Sequence, residues 1–401
     1  MNANTRLLSE ASARMINEVR MDFRRYLCSD IDWNNRLVCI KGAKGTGKTT
    51  LIRQHIRETF GASDKAFYAS LDHLWFNAHD ALELVDELYK DGVTHLFLDE
   101  VHHLKYWQQL IKNIYDLYPT MHLAYSGSSI LRLDDNSGDL SRRQIDYDLA
   151  GLSFREYLKL EGVVDFAPVS LADITSRHLE LAAEITRGIN VIEHFRRYRE
   201  SGYYPFFRDV SSGYLERLIA TVNKVIDGDL PVIEKVEPDT IRKLKKMLAV
   251  LAETCPQTPK MAELYRQLNT DRNQGMKMLD LLERSGFINR VRSHKDTLKN
   301  LSYPEKLYCN NTNLMYALVA EPDVGTLRET FLVNQLSATH HQLKCPNAGD
   351  FVVDDKFTFE VGGKTKRFAQ IADLPDSFVV VDDTAIGRGN KIPLWLFGFL
   401  Y

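Results

Sequence analysis

The residues with the clearest chemistry lie in a glycine-rich segment from Gly42 to Thr49, which reads Gly-Ala-Lys-Gly-Thr-Gly-Lys-Thr. This spacing is typical of a phosphate-binding loop (P-loop), in which glycines let backbone N–H groups turn toward phosphate oxygens at a helix start. There the Lys48 amine reaches the β- and γ-phosphates, and the Thr49 hydroxyl binds Mg²⁺. The predicted nucleotide-binding residues are Gly42, Ala43, Lys44, Gly45, Thr46, Gly47, Lys48, Thr49 and Thr50.

A second chemical feature follows the apolar residues 96–98, where Asp99 and Glu100 stand side by side. An aspartate at a strand end holds hydrated Mg²⁺, and an adjacent glutamate polarises the attacking water. Many P-loop kinases lack that glutamate, so the pair favours hydrolysis over transfer to a small molecule. We therefore expect ATP and Mg²⁺ as ligands, with Thr49 and Asp99 on the metal and Glu100 as the base. A chance glycine loop and two accidental acids are the alternative explanation.

Three further residues are candidates for contact with the γ-phosphate. Ser126 ends the strand after the Asp-Glu strand, although an ordinary turn also uses serine. Arg142 and Arg143 stand directly before another strand, where an arginine reaches the γ-phosphate of a neighbouring subunit. A surface arginine pair is the alternative. If one of them serves a neighbour, the active unit is a ring or a similar homo-oligomer.

The elements that position these residues alternate along the chain. Strand-like runs cover residues 36–42, 65–71, 94–99, 121–126 and 144–149, with helical stretches between them. Such alternation predicts an α/β fold, with a parallel sheet and helices on both faces. Residues 5–28 are predicted to form one amphipathic helix before that sheet.

Beyond the sheet the pattern becomes helical, and then helical with a few strands. Residues 227–240 are interpreted as a linker. Three helices and two strand-like runs follow, an order that predicts a winged helix-turn-helix. The predicted domains are an N-terminal helical segment (1–34), an ATPase core (35–158), a helical lid (159–232), the winged helix-turn-helix (233–310) and a small α/β domain (311–401).

The winged segment carries a local positive charge. Residues 239–299 contain 13 Lys and Arg against 7 Asp and Glu, an excess of six in a chain whose net charge is −3. This favours DNA as a partner. However, Gly275 weakens the presumed recognition helix, and winged helices also dock proteins, so both interpretations stay open. The candidate DNA contacts are Arg272, Asn273, Gln274, Lys277, Arg290, Arg292 and Lys295.

The bulk composition excludes several classes of protein. Hydrophobic residues at 44 % and charged residues at 26 % are ordinary for globular proteins. No apolar run approaches a membrane span and no signal peptide is recognisable, so we expect a cytoplasmic protein without a membrane partner. His95, His102 and His103 flank the acidic pair, but no spacing of cysteines or acids completes a metal set, and we interpret them as structural.

Several segments together resemble the bacterial and archaeal AAA+ ATPases that carry a C-terminal domain of unknown function. They are FLDEVHHLKYWQQLIKNIYDLYP, YSGSS, DLSRRQIDYDLAGLSFREYL, NNTNLMYAL, RETFLVNQL and IPLWLFGFLY. The resemblance implies that Ser126 is a sensor and that Arg143 is the arginine finger, with Arg142 the weaker candidate. It also implies a second sensor arginine in the lid, which is Arg196, Arg197 or Arg199.

The C-terminal domain of that family is similar to restriction-endonuclease-like folds, in which Asp and Glu-x-Lys gather a metal. Asp350 and Glu360 match the acids, with Glu329 on the preceding helix, but Gly362 stands where the lysine belongs, and the nearest lysine is Lys364. We therefore expect a degenerate binding or assembly domain. The leading hypothesis is an oligomeric ATPase that moves on or remodels DNA. The alternatives are a nucleotide-driven switch that docks proteins and, third, a metal-dependent nuclease.

Overall fold

The computed structural model describes residues 3–61, 63–129, 140, 142–210, 212–234, 236–254, 261–293 and 306–401. The chain divides into two compact units, each made of two chain segments. The first unit contains Met1–Ala150 and Asn223–Val236, and the second contains Gly151–Val222 and Glu237–Tyr401. The five-domain division expected from the sequence stays a prediction.

The strands form two sheets, one in each unit. In chain order they are β1 (Leu37–Gly42), β2 (Ala66–Ser70), β3 (His95–Asp99), β4 (His122–Ser128), β5 (Ile145–Asp148), β6 (Ile288–Ser293), β7 (Lys306–Cys309), β8 (Leu343–Cys345), β9 (Phe351–Val353), β10 (Phe357–Gly362), β11 (Ser377–Val381) and β12 (Lys391–Pro393). The first sheet has the order β2-β3-β4-β1-β5, and all its pairs are parallel. The predicted parallel α/β core is therefore confirmed.

Helices surround these sheets. They are α1 (Ala3–Asn17), α2 (Leu27–Asp30), α3 (Lys48–Thr59), α4 (Ala81–Lys90), α5 (Trp107–Leu117), α6 (Phe154–Leu160), α7 (Leu171–Ile185), α8 (Val191–Ser201), α9 (Tyr214–Lys224), α10 (Leu230–Glu234), α11 (Pro238–Thr254), α12 (Met261–Gln267), α13 (Arg272–Arg284), α14 (Thr312–Leu318) and α15 (Val324–Ala338). Short 3₁₀ turns cover Leu74–Asn77, Val101–His103, Pro205–Asp209 and Leu394–Phe399, and one π-helical turn covers Val225–Asp229. Within the described residues no helix is long and apolar enough to cross a membrane.

The first sheet is buried on both faces, which explains its continuous apolar strands. Leu37 and Cys39 of β1 pack in one hydrophobic cluster with side chains of α4 and α5. Val38 and Ile40, which point the other way, pack in a second cluster with side chains of α3. Because alternate residues of a strand face opposite sides, both sides must be apolar when helices cover both.

The predicted single helix over residues 5–28 is wrong, since α1 ends at Asn17 and α2 covers only Leu27–Asp30. The chain between them runs along α3 and gives its carbonyl groups to side chains there. Gln54 donates from Nε2 to the carbonyl oxygens of Arg20 and Phe23, at 2.6 and 2.8 Å. These bonds replace the intrahelical bonds that a continuous helix would have made.

The second sheet has the order β12-β11-β10-β9-β8-β6-β7. Strands β6 and β7 are antiparallel and follow the three helices α11, α12 and α13, in the element order expected for a winged helix-turn-helix. Strand β6 also pairs in parallel with β8. One sheet therefore contains strands from both sides of the boundary predicted at residue 310.

The last apolar run of the chain, residues 393–401, has the sequence pattern of a buried strand but does not form one. Strand β12 ends at Pro393, and Leu394–Phe399 form a 3₁₀ turn in which every residue is buried. A Cβ on Gly398 would lie 2.4 Å from Cβ of Phe154, so the turn packs closely on α6. An apolar run buried on all sides fits a helical turn as well as a strand, and periodicity cannot separate the two.

Candidate functional site

The glycine-rich loop joins β1 to α3, and its backbone requires glycine at several positions. Gly45 and Gly47 have φ values of 89° and 99°, in the left-handed region that glycine adopts without strain. A Cβ on Gly42 would lie 2.5 Å from the carbonyl oxygen of Leu149, beside β5. The loop therefore has the tight path that presents backbone N–H groups at the start of α3.

Lys48 lies inside this loop. Its side chain is buried, and Nζ donates to the carbonyl oxygens of Gly42 at 2.8 Å and Ala43 at 3.2 Å. Burial lowers the pKa of the Lys48 amine, while the nearby carboxylates of Glu100 and Asp99 oppose that change. The Lys48 amine is thus held inside the loop, where the lysine of a P-loop contacts the nucleotide phosphates.

Asp99 is buried at the end of β3 and accepts hydrogen bonds from three hydroxyl groups. They belong to Thr49, at 2.6 Å, to Tyr68, at 2.9 Å, and to Ser126. Thr49 and Asp99, the two predicted metal ligands, are therefore in contact. Their hydroxyl and carboxylate oxygens are the hard donors that Mg²⁺ prefers, so the residues present fit that ion. Beside them lies a cavity of about 300 Å³.

Glu100 leaves the strand in the left-handed conformation, with φ of 52°, which is unusual for a residue with a side chain. Its backbone N–H donates to the Ser126 hydroxyl at 3.3 Å. The two adjacent acids therefore point in different directions, and Ser126 contacts both residues. The roles of Glu100 as base and of Ser126 as sensor stay predictions.

Asp229 is a residue of this site that the sequence reasoning missed. It lies on the π-helical turn, is 2 % exposed, and its Oδ2 is 3.1 Å from Nζ of Lys44 in the loop. The following helix α10 packs against the Val101–His103 turn. Residues 227–240 are thus not a plain linker. No local pattern indicates this role, because an aspartate beside a glycine is typical of exposed turns.

Arg25 is a second missed residue. Its buried guanidinium donates to the carbonyl oxygen of Thr46 in the loop and, at 2.8 Å, to that of Ala150.

Tyr68 is a third missed residue. Its hydroxyl accepts a hydrogen bond from Arg53 at 2.9 Å and donates one to Asp99. Each of these residues is far from its partner in sequence, so spacing alone could not indicate the contact.

The two finger candidates lie just before β5. Arg142 is exposed, whereas Arg143 is partly buried, donates to Asp116 at 2.6 Å, and lies over the ring of Tyr115. Arg143 therefore rests against α5 of its own chain. Whether either arginine serves a neighbouring subunit stays a prediction.

The three lid candidates for a second sensor belong to the second unit and are all paired with acids there. Arg196 binds Asp383 at 2.7 Å and Arg197 binds Glu193 at 2.5 Å, both at the surface. Arg199 is buried, and its Nη1 lies 2.8 Å from Asp382. Arg199 thus forms a buried ion pair, and the assignment of one of the three arginines as second sensor stays a prediction.

The predicted DNA contacts differ in their exposure to solvent. Gln274 accepts from the Thr270 hydroxyl at 2.7 Å and donates to that of Thr240 at 3.2 Å. Arg290 forms ion pairs with Asp280 and Glu283 of α13. Lys295 lies outside the described residues. The exposed candidates are Arg272, Asn273, Lys277 and Arg292.

The acids of the C-terminal sheet are held by lysines. Lys366, not the lysine nearest in sequence, reaches Glu360, with Nζ 2.5 Å from Oε1. Lys306 lies 3.2 Å from Glu329 and 3.7 Å from Asp350. These lysines pair with the carboxylates that were expected to gather a metal. The interpretation of this domain as a degenerate one without nuclease activity stays a prediction.

The strands of the first sheet lie in a part of the chain that is similar to a known protein family. Residues 34–158 match the model of the AAA domain, and residues 192–325 match a domain of unknown function, DUF8612. A protein of Methanocaldococcus jannaschii described as uncharacterized is 26 % identical over 288 residues, which are 68 % of this chain and 60 % of the relative. The chain thus spans less than two thirds of that relative's length.

The chain also has weak similarity to solved structures. DnaA from Aquifex aeolicus with bound AMPPCP is 16 % identical, covers 71 % of this chain and 88 % of its own, and gives a TM-score of 0.24. PCH-2 of C. elegans is 15 % identical, covers 68 % of each chain, and gives 0.25. Scores this low do not establish a shared fold. Residues 34–158, which contain the parallel sheet and the glycine loop, are therefore similar to AAA domains.

Proposed function

We propose that the protein hydrolyses ATP in the presence of Mg²⁺. The observation that carries this proposal is the meeting of Lys48, Thr49, Asp99 and Glu100 at one edge of the sheet, where the carboxyl ends of β1 and β3 lie. In such a site the backbone N–H groups of the loop and the Lys48 amine would contact the phosphates of ATP, and Thr49 and Asp99 would hold Mg²⁺. The bound ion supplies charge neutralisation on the phosphates.

The chain's own residues supply the remaining steps. The hydroxyls of Tyr68 and Ser126 fix the Asp99 carboxylate, so that it keeps one orientation. Glu100, turned out of the strand, accepts a proton from the attacking water through its carboxylate. Its backbone is held by Ser126, which links the base to the metal ligand.

The variant Glu100→Gln tests this function. It should retain ATP binding, measured by calorimetry, and should lower the turnover number by about 10²- to 10⁴-fold, because a positioned base contributes that much. The matched control is Glu58→Gln on α3, whose carboxylate is exposed in an ion pair with Arg24. It should hydrolyse ATP at the wild-type rate. Wild-type turnover by Glu100→Gln would refute the assignment of the base.

We infer that the active form is a homo-oligomer in which Arg143 contacts the γ-phosphate bound by a neighbour, with Arg142 as the second candidate. The support is their location before β5, at the edge of the sheet. An arginine that reaches the transferred phosphate stabilises negative charge in the transition state. In that event Arg143 must exchange its contact with Asp116 for one with the neighbour.

We also propose that the protein acts on DNA, as a motor or remodeller, through α11–α13 and the strands β6 and β7. The exposed residues Arg272, Asn273 and Lys277 lie at the start of α13, where a recognition helix meets the groove. The exposed Arg292 on β6 adds a positive charge suited to a phosphate.

The double variant Arg272→Gln/Lys277→Gln tests the DNA role. Wild-type protein should bind duplex DNA at low salt and hydrolyse ATP faster with it. The variant should lose stimulation and should reduce the slope of log affinity against log salt by about 1 for each lost phosphate contact. The control is Arg177→Gln, which removes an exposed arginine of α7 that pairs with Glu180 outside the proposed DNA-binding elements. Wild-type protein that neither binds DNA nor responds to it would overturn this role.

The second candidate function is a nucleotide-driven switch that docks proteins. Its support is that Gln274 and Arg290 are occupied within the domain, which removes two of the predicted DNA contacts. The switch predicts slow turnover, a change of partner or oligomeric state with ATP analogues, and no response to DNA. The same measurements therefore separate the two functions.

A further inference from the structure

The turn that follows β3 brings together three side chains of a kind that binds transition metals. One ligand atom each from Glu100, His102 and His103 lies within 4.8 Å of the others. Among the described residues this is the one group of three or more such side chains. The interpretation of these histidines as merely structural is therefore incomplete.

The backbone explains why the three side chains meet. Glu100 adopts the left-handed conformation and the next three residues form a 3₁₀ turn, in which the His103 N–H donates to the Glu100 carbonyl oxygen at 3.1 Å. This tight turn brings the rings of His102 and His103 to a centroid distance of 4.5 Å. Glu100 Oε2 lies 3.5 Å from Nε2 of His102.

His102 provides an independent sign that a ligand belongs here. The residue is 2 % exposed, yet neither ring nitrogen has a hydrogen-bond partner within the described part of the chain. Native proteins seldom leave a buried polar group unsatisfied without a reason, because burial removes its hydrogen bonds to water. A metal ion bound by the Nε2 lone pair satisfies that nitrogen.

The distances suit a small divalent ion. Zinc binds imidazole nitrogen and carboxylate oxygen at about 2.0–2.2 Å in a tetrahedron, which separates two ligand atoms by roughly 3.4 Å. The 3.5 Å between His102 and Glu100 already matches that separation. His103 is exposed and free to turn its ring toward the same point. Asp229 Oδ2, 4.0 Å from His102 Nε2, is a further oxygen nearby.

We propose that Glu100, His102 and His103 bind a transition metal ion such as Zn²⁺, and that the bound ion stops ATP hydrolysis by occupying the Glu100 carboxylate. The inhibitory part rests on the proposed ATPase function, whereas the binding part does not. The site is distinct from the Mg²⁺ site at Thr49 and Asp99, because imidazole suits Zn²⁺, Co²⁺ and Ni²⁺ while Mg²⁺ keeps to oxygen ligands. Because His103 is exposed, a metal ion can reach the site from solvent.

Binding is tested on the full chain without nucleotide, by titration with Co²⁺ and measurement of its visible absorption. A tetrahedral spectrum with one ion per chain is expected, and Zn²⁺ should abolish it while excess Mg²⁺ should not. His103→Ala should weaken Co²⁺ binding by more than the roughly 10- to 100-fold that loss of an outer-shell partner costs. His102→Gln should do the same, and thermal unfolding checks that each variant is folded.

His122→Gln is the matched control. His122 also has an unpartnered ring nitrogen and stacks on a second histidine, His95, at 4.7 Å, but this pair has no carboxylate completing a metal-binding group among the described residues. It should bind Co²⁺ as the wild type does. Absence of the spectrum in wild-type protein, or equal binding by His103→Ala, would overturn the site.

Inhibition is measured as the ratio of ATPase rates with and without Zn²⁺ at saturating Mg²⁺. The wild type and His122→Gln should lose most of their activity, and His103→Ala should be insensitive at the same Zn²⁺ concentration. The inhibitory role would be overturned if Zn²⁺ displaces Co²⁺ from the site but leaves the ATP turnover of the wild type unchanged. A chain without ATPase activity but with the Co²⁺ spectrum would refute the proposed function alone.

Discussion

At the scale of single residues, the site combines positions that motifs predict with positions that only the fold reveals. Spacing predicted that Thr49 and Asp99 act together, and they are in contact at 2.6 Å. Spacing could not predict Tyr68, Arg25 or Asp229, because each contacts the motif residues through side chains from a distant segment. Nothing in the local sequence of these three distinguishes them from ordinary core or surface residues.

Arg25 should be a positioning residue for the loop. Arg25→Ala leaves the carbonyl oxygens of Thr46 and Ala150 without this donor, and an unsatisfied buried acceptor costs about 1–3 kcal/mol. We expect lower stability in urea unfolding and weaker ATP affinity. Arg25→Lys should recover little, since an ammonium lacks the guanidinium's planar arrangement of donors.

The neighbouring Arg24 is the matched control for that prediction. It pairs with the exposed Glu58 at 3.1 Å, and such surface pairs contribute about 0–1 kcal/mol. Arg24→Ala should therefore unfold and bind ATP nearly as the wild type does. Equal effects of the two alanine variants would refute the positioning role of Arg25.

At the scale of elements, regular burial made the first sheet predictable. Its strands are covered on both faces, so their apolar runs are continuous and end at Gly42 and Asp99, which mark the site. The segments predicted wrongly depend on tertiary contacts instead. Arg20 and Phe23, between α1 and α2, give their carbonyl oxygens to Gln54 of α3, and Asp229, in the segment interpreted as a linker, pairs with Lys44. Local propensity is overridden in both.

Gly275 is needed for packing between α12 and α13. A Cβ there would lie 2.2 Å from the ring of Tyr265, well inside contact distance. Gly275→Ala gains up to about 1 kcal/mol of helix propensity, but an overpacked contact costs about 1–3 kcal/mol. We therefore expect a lower midpoint of thermal unfolding in the variant.

A double variant checks the cause of that loss. Combining Gly275→Ala with Tyr265→Leu removes the ring, so the two substitutions should be less destabilising together than the sum of the single effects. Gly228→Ala is a control, because no atom lies within 4 Å of a Cβ at that position. Additive effects at Gly275 and Tyr265 would contradict the packing argument.

At the scale of the whole molecule, the proposed arginine finger makes assembly part of catalysis. The Glu100→Gln variant should accumulate as an oligomer with ATP bound, because it retains ATP binding while its turnover is blocked. Its mass, measured by light scattering, should be a multiple of the monomer mass. As a separate single substitution, Arg143→Ala should lower the rate of ATP turnover. If Glu100→Gln with ATP is a monomer and Arg143→Ala turns over ATP at the full rate, the proposed arginine finger from a neighbouring subunit is contradicted.

The return of residues 223–236 to the first unit has a consequence for how this protein can be divided or recombined. A fragment ending at residue 158, where the match to the AAA domain ends, would omit Asp229 and would uncover the side chains that Ile233 packs against. The part of the chain that matches the AAA domain therefore cannot be cut out at one boundary. A fragment that keeps the site together must contain both residues 1–150 and residues 223–236.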